Sequence, residues 1–224
     1  MNVSLTHPFL LRCIDPKELL KECEKFSTFC YRLENQAKKK ATGGDGEIDK
    51  DIENAYKGDG FELFVECLAR VFGANILIGI DPTSYTLIES NDDYGVDAVG
   101  LGINGKPLTV QIKYRQANCI LNANDDHLTN FRSKSVMSKI SGGFGIDPND
   151  KFKSKSGSRP RLIGTCNMII IHCGKQIHYN VKKNMLRDVR EFNRADIRKL
   201  VEFNHIFWNA FRESWKNAVK GGKL

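Results

Sequence analysis

Asn104-Gly105 restricts this chain's fold more than any other feature. The dipeptide favours a tight turn between antiparallel strands, because both residues tolerate the positive φ such turns need. It is flanked by Asp93-Tyr94-Gly95-Val96-Asp97 on one side and Val110-Gln111-Ile112-Lys113-Tyr114-Arg115 on the other. A turn centred near Gly105 sets Asp97 opposite Lys113, within one residue of register. Side chains alternate along a strand, so Val110, Ile112 and Tyr114 take one face, and Gln111, Lys113 and Arg115 take the other. Asp97, Gln111 and Lys113 therefore meet on one side of one hairpin. A carboxylate, an amide oxygen and an ammonium in that arrangement suit metal-assisted attack of water on a phosphodiester.

Ahead of the hairpin, Phe61, Phe64, Val65, Leu68, Val71 and Phe72 recur at helical spacing, and Gly73 closes the helix. Glu62 borders the apolar stripe and is the better placed to reach a site at the sheet edge. Glu66 lies nearer the opposite side and reads as solvent-facing. Gly58-Asp59-Gly60 is expected to end the element before it. Residues 75–80 and 85–89 read as short strands joined by a turn at Asp81-Pro82-Thr83-Ser84. After the hairpin, Asp125 or Asp126 caps a helix through Leu128 and Phe131. A long loop rich in glycine and serine follows, then an apolar strand at 168–173, turned by Gly174-Lys175 into 176–181.

Both ends of the chain read as helical. Asp15-Pro16 opens an amphipathic helix to about Gln36. A glycine-rich connection around Gly43-Gly44 leads to a short helix at 48–56. A short helix at about 183–190 precedes a longer one from Asn193. The longer helix carries Ile197, Leu200, Val201, Phe207, Trp208, Phe211 and Trp215. That stripe is a core or dimer face, with an aromatic stack for bases as the sharper alternative. The expected organisation is a helical N-terminal extension (1–57), a core (58–182) with a basic loop at 141–161, and a helical C-terminal extension (183–224).

Charge is the informative part of the composition. The net charge is +7. Arg132, Lys134, Lys139, Lys151, Lys153, Lys155, Arg159 and Arg161 stand against only Asp147 and Asp150, so almost all the excess is local. Such a patch is the electrostatic footprint of a nucleic-acid binder; a solvated loop or an anionic-membrane contact is the plainer account. No apolar run approaches the roughly 20 residues that cross a bilayer, and no signal-peptide layout opens the chain. An intracellular location, cytoplasmic or nucleoid-associated, is expected. The seven cysteines are odd in number, and none are at C-x-x-C spacing, which argues against a disulfide framework and a zinc knuckle. The five histidines are scattered, with no H-E-x-x-H, which argues against a histidine-based metal site.

The element order is helix, strand region, strand, strand, helix, strand. It carries Gly60-Phe61-Glu62 on the first helix, Gly95-Val96-Asp97 on a strand and Val110-Gln111-Ile112-Lys113 on the next. This resembles the PD-(D/E)XK nuclease superfamily, most closely its Mrr-like restriction-endonuclease branch, over roughly residues 58–173. The resemblance implies an α/β, restriction-endonuclease-like αβββαβ core: a central mixed sheet flanked by helices, with helical extensions at both ends. It also implies a Mg²⁺-dependent endodeoxyribonuclease of restriction or homing type, with Mn²⁺ able to substitute.

Under this resemblance Asp97 matches the family's metal-binding aspartate, Lys113 its lysine and Glu62 its helix glutamate. Gln111 stands where the wider superfamily has Glu or Asp, as is usual in the Mrr-like branch. Glu62, Asp97 and the Gln111 amide oxygen or the Ile112 carbonyl would hold the metal, and Lys113 would assist the water. Arg115 and the eight cations from Arg132 to Arg161 would contact DNA. The glutamine removes one negative charge from the site. A catalytically inactive DNA-binding module of the same fold is therefore one alternative, and a structure-selective nuclease for junctions or nicks is another. Cutting both strands needs two active sites, so a homodimer is expected, and no membrane.

Overall fold

Apolar residues at helical spacing near both ends of the chain share one core. The computed structural model describes residues 2–88, 95–123, 126–147 and 167–221. Lys151, Lys153, Lys155, Arg159, Arg161 and the capping candidate Asp125 lie outside the described residues. The N-terminal elements are α1 (Phe9–Arg12), α2 (Pro16–Leu20), α3 (Phe26–Ala41) and α4 (Lys50–Phe72). There follow β1 (Thr86–Leu87), β2 (Ala98–Leu101), β3 (Pro107–Lys113), β4 (Ile120–Leu121) and α5 (Leu128–Val136). The C-terminal elements are β5 (Met168–His172), β6 (Gln176–Ile177), α6 (Tyr179–Asn184), β7 (Arg190–Phe192), α7 (Arg194–Val201) and α8 (His205–Lys220). The chain divides into a helical unit, residues 1–71 with 197–224, and a sheet unit, residues 72–196.

In the helical unit Phe26, Phe29, Phe61, Phe64, Phe207, Trp208 and Phe211 are all buried. The Phe64 ring centroid lies 5.0 Å from those of Phe26 and Phe29 and 5.3 Å from that of Phe207. The aromatic stripe of the C-terminal helix is therefore core, closed to any stacking base, and the Trp208 indole N–H donates to the Val201 carbonyl at 2.8 Å. Two expected helices are each broken in two at a left-handed residue. Glu22 (φ 45°) separates α2 from α3, and Phe203 (φ 53°) separates α7 from α8. Asp15 caps α2 as expected, its carboxylate accepting from the Lys17 and Glu18 N–H groups at 3.0 Å.

Gly58-Asp59-Gly60 does not end a helix. It lies inside α4, so the boundary expected at 57/58 falls in mid-helix. The physical reason is close approach: a Cβ on Gly60 would sit 2.4 Å from Leu33 Cδ1 and 3.0 Å from Phe9 Cζ. This glycine admits α3, not a turn.

The sheet unit holds a mixed five-stranded sheet in the order β1-β2-β3-β5-β7, in keeping with the expected α/β class. β1, β2 and β3 are antiparallel, while β3, β5 and β7 are parallel. β4 and β6 form a separate two-stranded parallel sheet. β3 is buried from Leu108 to Ile112, as befits a strand with neighbours on both edges. One face of the sheet contributes Met168 and Ile170 to a core with Val96, Leu128 and Phe131.

The Asn104-Gly105 turn forms, with Gly105 at φ 77° and the Gly102 N–H donating to the Lys106 carbonyl at 2.8 Å. Leu101 pairs with Pro107, so the turn is centred on Asn104, one residue earlier than expected. That moves the register by two: Asp97 falls beside Gln111 and not beside Lys113, and a shift of two keeps the face.

Other departures are local. Residues 75–79 form a turn, because the Asn75 side chain accepts from the Leu77 N–H and its carbonyl from those of Ile78 and Gly79, and of the strand expected at 75–80 only Ile80 pairs, in an isolated bridge with Gly102. His127 occupies the N-cap of α5, at φ 54°, and the Asp126 carboxylate accepts instead from the Asn122 N–H at 2.7 Å. The segment expected as helix 183–190 ends in strand β7. The boundary expected at 182/183 falls within α6.

Gly60→Ala should destabilise the protein by about 1–3 kcal/mol through overpacking against Leu33. Helix propensity alone would favour the change by about 1 kcal/mol. Urea unfolding reads the sign.

Candidate functional site

Asp97 enters the sheet with its backbone and side chain both engaged on β3. Its N–H donates to the Val110 carbonyl at 2.9 Å, and its carboxylate accepts from the Ile112 N–H. These two bonds bracket Gln111. The Gln111 side chain is fully buried, and neither its amide oxygen nor its amide nitrogen has a hydrogen-bond partner among the described residues. A buried amide left so costs about 1–3 kcal/mol and calls for an explanation. Within a strand, a residue's N–H and C=O leave by the same edge. The Ile112 carbonyl is therefore directed to the edge where Asp97 stands. Lys113, at the end of β3, is half-buried.

Gly95 sets this corner. It adopts φ +85°, and a Cβ on it would stand 3.0 Å from Gln111 Nε2 and 3.3 Å from the Phe131 backbone nitrogen. Glycine alone reaches this conformation without strain. The turn then buries Val96 in the Phe131 cluster and delivers Asp97 to β3.

The register extends the polar row onto two more strands. Lys113 pairs with His172 on β5, Gln111 with Ile170, and Ile170 with Glu191 on β7. Alternation puts Gln111, Lys113, His172 and Glu191 on one face. His172 is fully buried, and its Nε2 lies 3.1 Å from Glu191 Oε1. The same oxygen accepts from the Ile177 N–H at 2.7 Å. Burial pushes the Glu191 carboxyl upward, but the hydrogen bonds from His172 and Ile177 outweigh it and hold the group below its ordinary value. Sequence reasoning missed both residues. Glu191 falls between the two helices expected at 183–190 and from Asn193, and only the β3–β5 register marks His172 out from the other histidines.

Glu62 belongs to the helical unit, where its carboxylate lies 2.9 Å from His7 Nε2. His7, Asp59 and Glu62 are the one group of three His, Cys or acidic ligand atoms within 4.8 Å of one another among the described residues. Asp59 is also paired with Arg12 at 2.7 Å. Glu66 is not solvent-facing. It is fully buried and accepts from the Thr6 and His7 N–H groups at 3.0 and 3.1 Å, which anchors the N-terminal segment.

The described cations are largely engaged. Arg115 meets Asp126 at 2.5 Å, and Arg132 makes a forked pair with Asp188 at 2.6 to 3.0 Å. The Asp188 hydrogen bonds hold the Arg132 guanidinium still more firmly protonated. Lys134 is half-buried and Lys139 is exposed.

The donor set beside Asp97 is a carboxylate, a buried amide oxygen without a partner and a main-chain carbonyl. These hard oxygen ligands fit a divalent cation of the Mg²⁺ or Mn²⁺ kind.

Gly95→Ala should destabilise by about 1–2 kcal/mol from its left-handed backbone alone, read by urea unfolding. Glu191 gives a pH test. Its folded pKa lies below the ordinary 4.5, so its contacts stabilise above that pH, and the contribution is lost as pH falls through the folded value. Glu191→Gln should lower stability at neutral pH and flatten the acid limb of a pH series of urea midpoints.

Searches against protein-family models, curated proteins and solved structures find no match to this chain.

Proposed function

We propose that this chain is a divalent-cation-dependent DNA endonuclease of restriction or homing type that hydrolyses phosphodiester bonds. One observation carries the reading: the partnerless Gln111 amide, buried beside the Asp97 carboxylate and two residues before Lys113 on the same face. The resemblance of Gly95-Val96-Asp97 and Val110-Gln111-Ile112-Lys113 to the Mrr-like branch, with its restriction-endonuclease-like fold, agrees with it.

Asp97, Gln111 Oε1 and the Ile112 carbonyl would hold the cation. When bound, Mg²⁺ or Mn²⁺ supplies a Lewis acid that makes water more acidic and offsets charge on the phosphate. The Ile112 N–H fixes the orientation of the Asp97 carboxylate. Lys113 provides N–H donors and positive charge to orient the attacking water and to stabilise the charge that builds on the phosphate oxygens. The Cys173 thiol holds the chain just beyond Lys113. It accepts from the Arg115 N–H at 3.0 Å and donates to the Arg115 carbonyl at 2.9 Å. Glu62 is engaged by His7, and the reading does not depend on it.

The basic segment from Arg132 to Arg161 would contribute phosphate contacts, which position DNA without reading its sequence. Arg115 and Arg132 would contribute by sharing their guanidinium groups between acid and phosphate. Two-strand cleavage would use two copies of the chain.

A second reading, a DNA-binding module without chemistry, is favoured by Gln111 itself, a neutral ligand where an acid would hold the cation more tightly. Calorimetry with Mn²⁺ separates the two. Binding abolished by Asp97→Ala supports the nuclease, and no binding supports the module.

Plasmid cleavage with Mg²⁺ should fall at least about 100-fold in Asp97→Ala and in Lys113→Ala. Equal cleavage by wild type and both variants would show that the site is misassigned. Branched, nicked and linear duplexes compared side by side show whether DNA structure directs the cut.

A further inference from the structure

We propose that His172 is a positioning residue for Lys113: held by Glu191 in its Nε2–H tautomer, it presents the Nδ1 lone pair to the Lys113 ammonium. The role assigned to Lys113 rests on the nuclease reading; the His172 geometry does not.

Lys113 and His172 are partners in the β3–β5 ladder, and their side chains leave the same face. Neighbouring strands lie about 4.8 Å apart, within easy span of a lysine stem. His172 Nε2 faces a carboxylate oxygen at 3.1 Å, and a carboxylate only accepts, so Nε2 carries the proton. In that tautomer Nδ1 is an acceptor. It is buried and has no partner among the described residues. A histidine kept only for structure would be expected to have both ring nitrogens satisfied.

Glu191 cannot easily swing away from the ring, because the Ile177 N–H holds the same oxygen at 2.7 Å. The nearby Lys182 ammonium is turned to the Val189 carbonyl at 2.5 Å. An ammonium offers three donors and no acceptor, so Lys113 and a buried imidazole lone pair without a partner among the described residues are chemically complementary. The chain Ile177 N–H, Glu191, His172, Lys113 would then run from a fixed backbone donor to the residue that faces the phosphate. It would narrow the positions open to a long, flexible side chain.

Two substitutions separate this role from a structural one. Asparagine places its amide oxygen near the position of Nδ1, whereas glutamine places its amide near Nε2. His172→Asn should retain most of kcat for plasmid cleavage. His172→Gln, which can still meet Glu191, should lose about 10-fold or more, with KM for DNA unchanged. The reverse order would assign His172 a purely structural role. Thermal melts of both variants establish that they fold.

A second measurement does not need cleavage. Long-range ¹H–¹⁵N spectra should show His172 as the Nε2–H tautomer, with an Nδ1 resonance that shifts in Lys113→Met. An Nδ1–H tautomer, or an Nδ1 resonance indifferent to Lys113→Met, would overturn the proposal. An inactive wild type with the expected spectra would instead remove the nuclease reading and leave the His172–Lys113 contact standing.

Discussion

Burial of β3 on both faces is the constraint on which the rest of the sheet unit depends. A strand with neighbours on each edge and cover on each face must satisfy every polar group it carries from within the protein. β3 does so unevenly. At its start, the Thr109 hydroxyl meets that of Ser135 at 2.8 Å, both buried. Further along, the Gln111 amide and the neighbouring His172 Nδ1 have no partner among the described residues. The strand is thus closed at one end and chemically open at the other. The open end is where Asp97 and Lys113 stand.

The legible parts of this layout were those governed by local chemistry. Asn104-Gly105 needs no partner to favour a turn, and Asp15-Pro16 needs none to start a helix. The common face of Asp97 and Gln111 is equally robust, because moving the turn centre by one residue shifts the register by two and leaves side chains on the same side. The illegible parts depend on distant residues. Gly60 looks like a breaker until Leu33 is known to press against it. Residues 75–80 are rich in β-branched residues like a strand, yet Asn75 closes residues 75–79 into a turn. β7 is three residues long, too short for any periodicity to announce. Glu66 lies off the apolar stripe of its helix, but the backbone of Thr6 and His7 covers it.

Charge shows the same division between local and distant causes. The excess of lysine and arginine is visible in the sequence, but its disposition is not. Asp126 and Asp188 fix the guanidinium planes of Arg115 and Arg132, which gives these cations direction at the cost of some field strength. Fixed guanidinium groups favour a shaped anionic partner over a diffuse one. Among the described residues, the loosely held part of the positive charge includes Lys139, on an exposed turn.

The discontinuity of the helical unit bears on how the protein is made. Its aromatic core joins Phe26, Phe29 and Phe64 to Phe207, Trp208 and Phe211, which leave the ribosome only after the whole sheet unit. Residues 72–196 form a unit of their own and can assemble before α8 has been synthesised. Until then the first helices expose a phenylalanine-rich surface. The nascent chain is therefore prone to aggregation, and in need of chaperone cover, until α8 has emerged.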